Sequence, residues 1–277
     1  MRIAVVAPSS RFRSDAELDE VVARVTAVAA EHHPGVDIVF HPQCRRRSGH
    51  FAGTDEERAR ALIEVADDPT FDAVWFARGG YGSNRIAERA VAAMGPAAQS
   101  KTWLGYSDGG FLLAALYRAG FASVAHGPMP KDALAGSAPV RRALAWLVER
   151  SSDSLEPGLE PGRAHAAFNV TVLSHLLGTP LEPELSGHVL LLEEVAEHLY
   201  RIDRAMFHIL STPLGRGLAG IRLGRVSDVP DNDPEFGESA EKIVRNWCER
   251  AGIPFLGGAD IGHDSGNKVV PFGPLWT

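Results

Sequence analysis

Short, wholly apolar runs alternate with amphipathic helical patterns through the first half of the chain, and that alternation constrains the fold most. Ile3-Ala-Val-Val-Ala7 ends in Pro8-Ser9-Ser10. Ser14-Asp-Ala-Glu17 then has the capping-box pattern, and apolar residues recur at helical spacing through Val21, Val22, Val25 and Val28. Val36 to His41 reads as a second strand, and Thr54-Asp-Glu-Glu57 as the cap of a helix through Leu62 and Val65. Asp72-Ala-Val-Trp-Phe-Ala77, Thr102-Trp-Leu-Gly-Tyr106 and Ala122 to Ala125 supply three more strand signals. Strands that are apolar throughout and separated by helices require burial on both faces, so the pattern predicts a parallel sheet covered on both sides.

The pattern breaks at Ser151 to Arg163, which has no apolar periodicity and two Pro-Gly pairs and reads as turns or a linker. Beyond it come a helix near Val170 to Leu177, a strand at Val189 to Leu192 and a helix from about Tyr200 to Leu210. A strand near Ile221 to Val226 and a helix around Glu238 to Ala251 follow, then an irregular, glycine-rich tail from Pro254 to Thr277. The expectation is two α/β units, residues 1–155 and a smaller one over 164–277.

With 28 Lys and Arg against 35 Asp and Glu the net charge is −7, and no basic face beyond Arg45-Arg46-Arg47 suggests a nucleic-acid partner. No apolar run approaches the roughly 18–20 residues that span a bilayer. Cys44 and Cys248 have neither a disulfide framework nor a metal-binding spacing, which suits a reducing, cytoplasmic compartment.

Three segments can carry chemistry. Gly105-Tyr-Ser107-Asp-Gly109 places a serine on a strand-to-helix turn, where the first helical N–H groups face any oxyanion that forms. The same pattern also suits a Ser107 or Asp108 that only caps the helix. Arg78-Gly-Gly-Tyr-Gly82, directly after a strand, is either a plain turn or a wall of backbone donors facing that serine. It lacks the Lys-Ser or Lys-Thr pair of a phosphate-binding loop and the dinucleotide-binding glycine spacing. Glu193 stands where the strand Val189 to Leu192 runs out, and His263 sits among Gly258, Gly262 and Gly266. Ser107, Glu193 and His263 thus make a candidate nucleophile, orienter and base in the order also found in α/β-hydrolases, although here a linker divides the serine from its partners. No His-Glu-x-x-His pattern or tight His/Cys cluster points to zinc.

Taken together, the ordered motifs resemble the serine LD-carboxypeptidase family, which includes murein tetrapeptide carboxypeptidases and microcin C self-immunity proteins. The resemblance runs through Ile3-Ala-Val-Val-Ala-Pro-Ser9, Ala77-Arg-Gly-Gly-Tyr-Gly82, Gly105-Tyr-Ser-Asp108 and His126-Gly-Pro-Met129. It continues through Gly178-Thr-Pro180, Leu192-Glu-Glu-Val-Ala-Glu197, Tyr200-Arg-Ile-Asp-Arg204 and Gly262-His263. It implies a flavodoxin-like N-terminal domain bearing the serine and a C-terminal domain bearing the glutamate and histidine. Ser107, Glu193 and His263 would form the triad, and the amides of Gly80 and Asp108 the oxyanion hole. Arg78, Tyr81 and Arg201 are candidates for holding the substrate.

The implied activity is metal- and cofactor-free release of a C-terminal D-amino acid from a murein tetrapeptide, in the cytoplasm and as a homodimer. Neither nucleic acid nor membrane is an implied partner. Alternatives on the same fold are hydrolysis of an aminoacyl- or peptidyl-nucleotide, a simple esterase, and a binding module without catalysis. The chain departs from the family at Glu194, where Asp is common, at Ala196, where Gly is common, and at Ala167-Phe168-Asn169, where two glycines are lost. Phe168 is therefore expected to reshape the substrate groove.

Overall fold

Runs apolar on both faces belong in the middle of a sheet, and that is where they lie in the computed structural model, which describes residues 1–275. The tail read from the sequence extends to Trp276 and Thr277, which lie outside the described residues. The first half runs β1 (Arg2–Val6), α1 (Asp15–His32), β2 (Asp37–Phe40), α2 (Asp55–Asp67), β3 (Ala73–Phe76) and α3 (Ala87–Ala92). It continues with β4 (Thr102–Gly105), α4 (Gly110–Arg118), β5 (Val124–His126) and α5 (Ser137–Leu144). These five strands pair in parallel in the order β5-β4-β3-β1-β2. This is the doubly wound, flavodoxin-like arrangement, whose ligand crevice lies at the carboxyl ends of β1 and β3 where the winding reverses. Leu18, Val21, Val25 and Val28 of α1 are buried against one face, and Leu62 and Val65 of α2 against the other.

The second half builds its own sheet. It contains β6 (Ala164–Asn169), α6 (Val170–Leu176), β7 (Val189–Val195), α7 (Leu199–Ser211), α8 (Pro213–Arg216), β8 (Gly220–Ser227), α9 (Ala240–Ala251) and β9 (Phe255–Gly258). β6, β7, β8 and β9 are parallel neighbours in that order. The fold is thus α/β with two mostly parallel sheets. Cys44 and Cys248 are free and buried.

The structure corrects the sequence reading in three places. β6 was not expected, because Ala-His-Ala-Ala is poor in the β-branched residues that mark strands; pairing with β7 overrides that preference. The tail is also less irregular than expected. It contributes β9, then β10 (Val270–Pro271) antiparallel to β5 in the first sheet, then β11 (Gly273–Pro274) antiparallel to β6 in the second. Elements two residues long leave no periodic signal. Finally, of the two readings of Ser151 to Arg163 the structure favours turns, and these are pinned rather than a free linker. Glu156, 2% exposed, accepts from Arg222 Nη1 at 2.5 Å, Gly158 N at 2.8 Å and Asp260 N at 3.1 Å.

Removing one partner of such a buried pair strands the other charge. Arg222→Met is therefore expected to lower unfolding free energy by about 3–5 kcal/mol in urea titrations. A loss below about 1 kcal/mol would instead class the pair with solvated surface bridges.

Candidate active site

The site begins with a strained turn. Ser107 follows β4 at φ 57°, in the left-handed region that disfavours a side chain by about 1–2 kcal/mol. The turn Ser107–Gly109 leads straight into α4. Its glycines make room: a Cβ on Gly105 would fall 2.5 Å from the Phe76 ring. The turn after β3 comes equally close, since a Cβ on Gly79 would stand 2.8 Å from Ser107 Oγ and 3.4 Å from Asp108 N. Backbone from the Gly79-Gly80 turn therefore lies directly against the serine hydroxyl. Two parallel strands that end on one edge bring these turns together.

The Asp108 side chain does not cap α4 but, with Arg58 and Ser10, holds the two turns in place. The buried Asp108 carboxylate accepts from Ser9 Oγ at 2.5 Å, Ser83 N at 2.8 Å and Gly82 N at 3.2 Å. It thereby joins the turns after β1, β3 and β4. Arg58, 1% exposed, donates to the carbonyls of Pro8 and Gly82 and to Asp55 Oδ1. Ser10 Oγ accepts from Tyr81 N at 3.0 Å and bonds to His50 Nε2. A signal for Arg58 was present: it shares the helical spacing of Leu62 and Val65, the buried face of α2.

The other half of the site comes from the second sheet and the tail. Along β7, Val189, Leu191 and Glu193 alternate onto one face, and that face packs against Ile261 and Val270. His263 follows two residues after Ile261, which brings imidazole and carboxylate together. His263 Nδ1 donates to Glu193 Oε2 at 2.6 Å, and Nε2 accepts from Ser107 Oγ at 2.9 Å. The carboxylate selects the tautomer that leaves Nε2 free to accept. Burial disfavours the His263 imidazolium, but the charge and hydrogen bond of Glu193, supplemented by Asp132 and Glu194, outweigh it and raise its pKa above the ordinary 6.5. The neighbouring His126 is pushed down to about 4 by burial. The Tyr106 ring lies 4.9 Å from that of His263, and its hydroxyl donates to the half-buried Asp132 at 3.1 Å.

Two cavities meet at Ser107 and Gly80. One, of about 270 Å³, is lined by Arg78, Lys131, Asp132 and His263 among others. The other, of about 520 Å³, is lined by Tyr81, Asn169, Thr171, Glu194 and Glu197. Arg78 and Tyr81 therefore flank the serine on opposite sides. Arg201 touches neither cavity; it lies 3.6 Å from Glu197 and lines an adjacent hollow with His175 and His208. Phe168 does not reshape a groove. It is 1% exposed, with its ring 5.1 Å from that of Phe272, and packs under α4, where Gly110 admits it. Glu194, beside the triad residue, accepts from Asn169 Nδ2, Thr171 N and Oγ1, and Val195 N, which knits β7 to the start of α6. Among the described residues no group of three His, Cys, Asp or Glu could hold a metal ion, and no helix is long and apolar enough to cross a membrane.

A hydroxyl, imidazole and carboxylate in hydrogen-bonded series at the edge of a doubly wound sheet is how serine hydrolases activate a nucleophile. The chain belongs to the LD-carboxypeptidase family: the N-terminal domain model of that family matches residues 3–127 and the C-terminal domain model residues 166–276. A relative from Synechocystis is 31% identical over 98% of this chain and 89% of its own length. The murein tetrapeptide carboxypeptidase of Pseudomonas aeruginosa is 29% identical, covering 98% and 91%. The crystal structure of muramoyltetrapeptide carboxypeptidase from Oxalobacter formigenes superposes with a TM-score of 0.81 at 24% identity, over 99% of this chain and 93% of that one. The microcin C7 self-immunity protein in complex with aspartyl sulfamoyl adenosine gives 0.80 at 17%, over 98% and 91%. These structures share the fold.

Two outcomes are expected from labelling of Ser107 by a fluorophosphonate. Only the neutral imidazole can take the serine proton, so the rate should rise with pH through a midpoint above 6.5; Glu193→Gln, which removes the strongest charge opposing burial and leaves only Asp132 and Glu194 against it, should lower that midpoint. Asp108→Asn puts an amide against backbone donors and loosens the joined turns. It should slow labelling by about a hundredfold, the effect of misplacing reacting groups by an ångström.

Proposed function

We propose that the protein is a serine carboxypeptidase that hydrolyses an L-to-D peptide bond and releases the C-terminal D-amino acid, D-alanine, from a murein tetrapeptide. The observation that carries this reading is the continuous series from Ser107 Oγ through His263 to Glu193, 2.9 and 2.6 Å, opening on a cavity to either side. In the first step His263 Nε2 takes the Ser107 proton as Oγ attacks the scissile carbonyl, and Glu193 stabilises the imidazolium. The amides of Gly80 and Asp108 receive the developing oxyanion; one such donor contributes about 3–4 kcal/mol to transition-state stabilisation. The protonated His263 passes its proton to the departing amine, and water then resolves the acyl-enzyme by the same path.

Membership of the LD-carboxypeptidase family and the names of the relatives support this substrate class. In the same reading, residues 1–155 carry the nucleophile, residues 164–277 carry the acid and base, and the chain acts as a homodimer in the cytoplasm during cell-wall recycling. The second reading, hydrolysis of an aminoacyl-nucleotide, draws on the likeness in fold to the self-immunity protein.

Mass spectrometry of muropeptides of defined length should reveal loss of one alanine from tetrapeptide. Ser107→Ala should reduce that release by about 10⁶-fold while leaving the unfolding midpoint within error, as for removal of other triad serines. Undiminished release by the variant, or cleavage of an aminoacyl-adenylate analogue in place of tetrapeptide, would overturn the assignment.

A further inference from the structure

The geometry of one imidazole fixes the direction in which a substrate lies. His263 Nε2, 2.9 Å from Ser107 Oγ, must hand its proton to the departing nitrogen, so the leaving group occupies the cavity that His263 lines. That is the smaller cavity. At about 270 Å³ it falls below the ~300–1,000 Å³ of ordinary ligand pockets and has room for one residue rather than a continuing chain. The larger cavity, on the acyl side, is lined by no lysine or arginine but includes Glu194 and Glu197.

The smaller cavity has the opposite charge. Arg78 and Lys131 both line it. Arg78 is held by its own donors, Nη1 to Arg11 O at 2.6 Å and Nε to Gly79 O at 3.2 Å, which leaves Nη2 without a partner among the described residues. That nitrogen lies 3.5 Å from where a Cβ on Gly80 would stand, beside the oxyanion turn. The Lys131 amine has neither a hydrogen-bond nor an ion-pair partner among the described residues. The one carboxylate in the cavity is occupied elsewhere: Asp132 Oδ1 accepts from Tyr106 and Oδ2 from Met129 N at 2.8 Å. Burial lowers the pKa of Arg78 and of Lys131, and for Lys131 the charge of Arg78 adds to that effect. Glu17, and for Lys131 also Asp132, offset part of this at a distance, but neither cation forms an ion pair among the described residues, and two half-buried cations that repel each other would be stabilised by a bound anion.

We propose that Lys131 and Arg78 form a two-cation clamp for the C-terminal carboxylate of the departing amino acid. The clamp rests on the peptidase reading above and deepens it, since it measures one residue from the scissile bond and so restricts cleavage to a chain end. Lys131 is the new element: nothing in the sequence motifs distinguishes it.

The test uses full-length Ser107→Ala protein, which binds without turnover, and calorimetry with N-acetyl-L-lysyl-D-alanine, its C-terminal amide and adenosine monophosphate. The free acid should bind about 10–100-fold more tightly than the amide, the discrimination expected of charge-assisted hydrogen bonds. Lys131→Met in that background should abolish most of the preference while leaving amide affinity unchanged, and Lys131→Arg should restore it. Equal loss for acid and amide, or no preference before mutation, overturns the clamp. Lys131-dependent binding of the nucleotide but not of the acid overturns it in favour of a phosphoryl site. Tetrapeptide turnover by the unmutated protein is measured separately. Acid-selective, Lys131-dependent binding without alanine release would sink the peptidase reading and leave the clamp standing.

Discussion

One buried carboxylate fixes the relation of three sheet-edge turns to one another. Asp108 accepts from Ser9, Gly82 and Ser83, which belong to the loops after β1 and β3, while its own backbone belongs to the loop after β4. A carboxylate withdrawn from water is stable only with its lone pairs filled, so those donors must arrive together. The left-handed Ser107 is the residue before it. Its strain is therefore sustained by a network whose disruption would leave a buried charge unpaired. Arg58 completes the arrangement from beneath by drawing the Pro8 and Gly82 carbonyls toward one guanidinium.

The base reaches this edge on a segment anchored at both ends. β9 closes the second sheet before it and β10 joins the first sheet after it, so the intervening loop bridges the two. Within the loop, Arg225 of β8 bonds Asp260 and Asp264, and Arg142 of α5 donates to the carbonyls of Ser265 and Asn267. Asn267 Oδ1 in turn accepts from Gly262 N beside His263. Glycines gave the imidazole a backbone free to turn, but a cation from α5 and one from β8 hold the loop that carries it.

This explains how much of the site could be read from sequence. Ser107 could be identified because it stands between a strand and a glycine-bearing turn, and His263 because glycines surround it; Glu193 stood out through ordered motifs that resemble one family, since the strand expected to run out at Leu192 continues through it to Val195. The first sheet could be read because its strands are apolar on both faces. β6, β10 and β11 could not, since short or alanine-rich strands are specified by their neighbours and not by their own residues. Phe168 misled for a related reason: loss of a glycine near a junction suggests intrusion into a groove, yet Gly110 on α4 provides the space inside the core. Ala196 stands at φ 56°, which gives a backbone reason for the glycine common at that position in the family. The Asp108 side chain suits a helix cap in sequence yet binds three other turn groups, and the role of Arg58 leaves no motif, because the partners of a buried charge are set by tertiary structure.

The site also has an asymmetry that no single residue reveals. Ser107 and Gly80 border both cavities, so in the proposed reaction attack takes place at a boundary between a region with two cations that form no ion pair among the described residues and one with carboxylates. A substrate that crosses it is oriented by charge before any specific contact forms, because in a partly buried site such fields are screened less than on an open surface. In the proposed reaction, a chain carrying its negative charge at the end beyond the scissile bond would lie with its carbonyl toward the Gly80 and Asp108 amides and its leaving nitrogen toward His263. The reversed chain would put that charge beside Glu194 and Glu197 and its amine out of reach of the proton. Polarity of the site and polarity of the peptide bond thus select the same alignment.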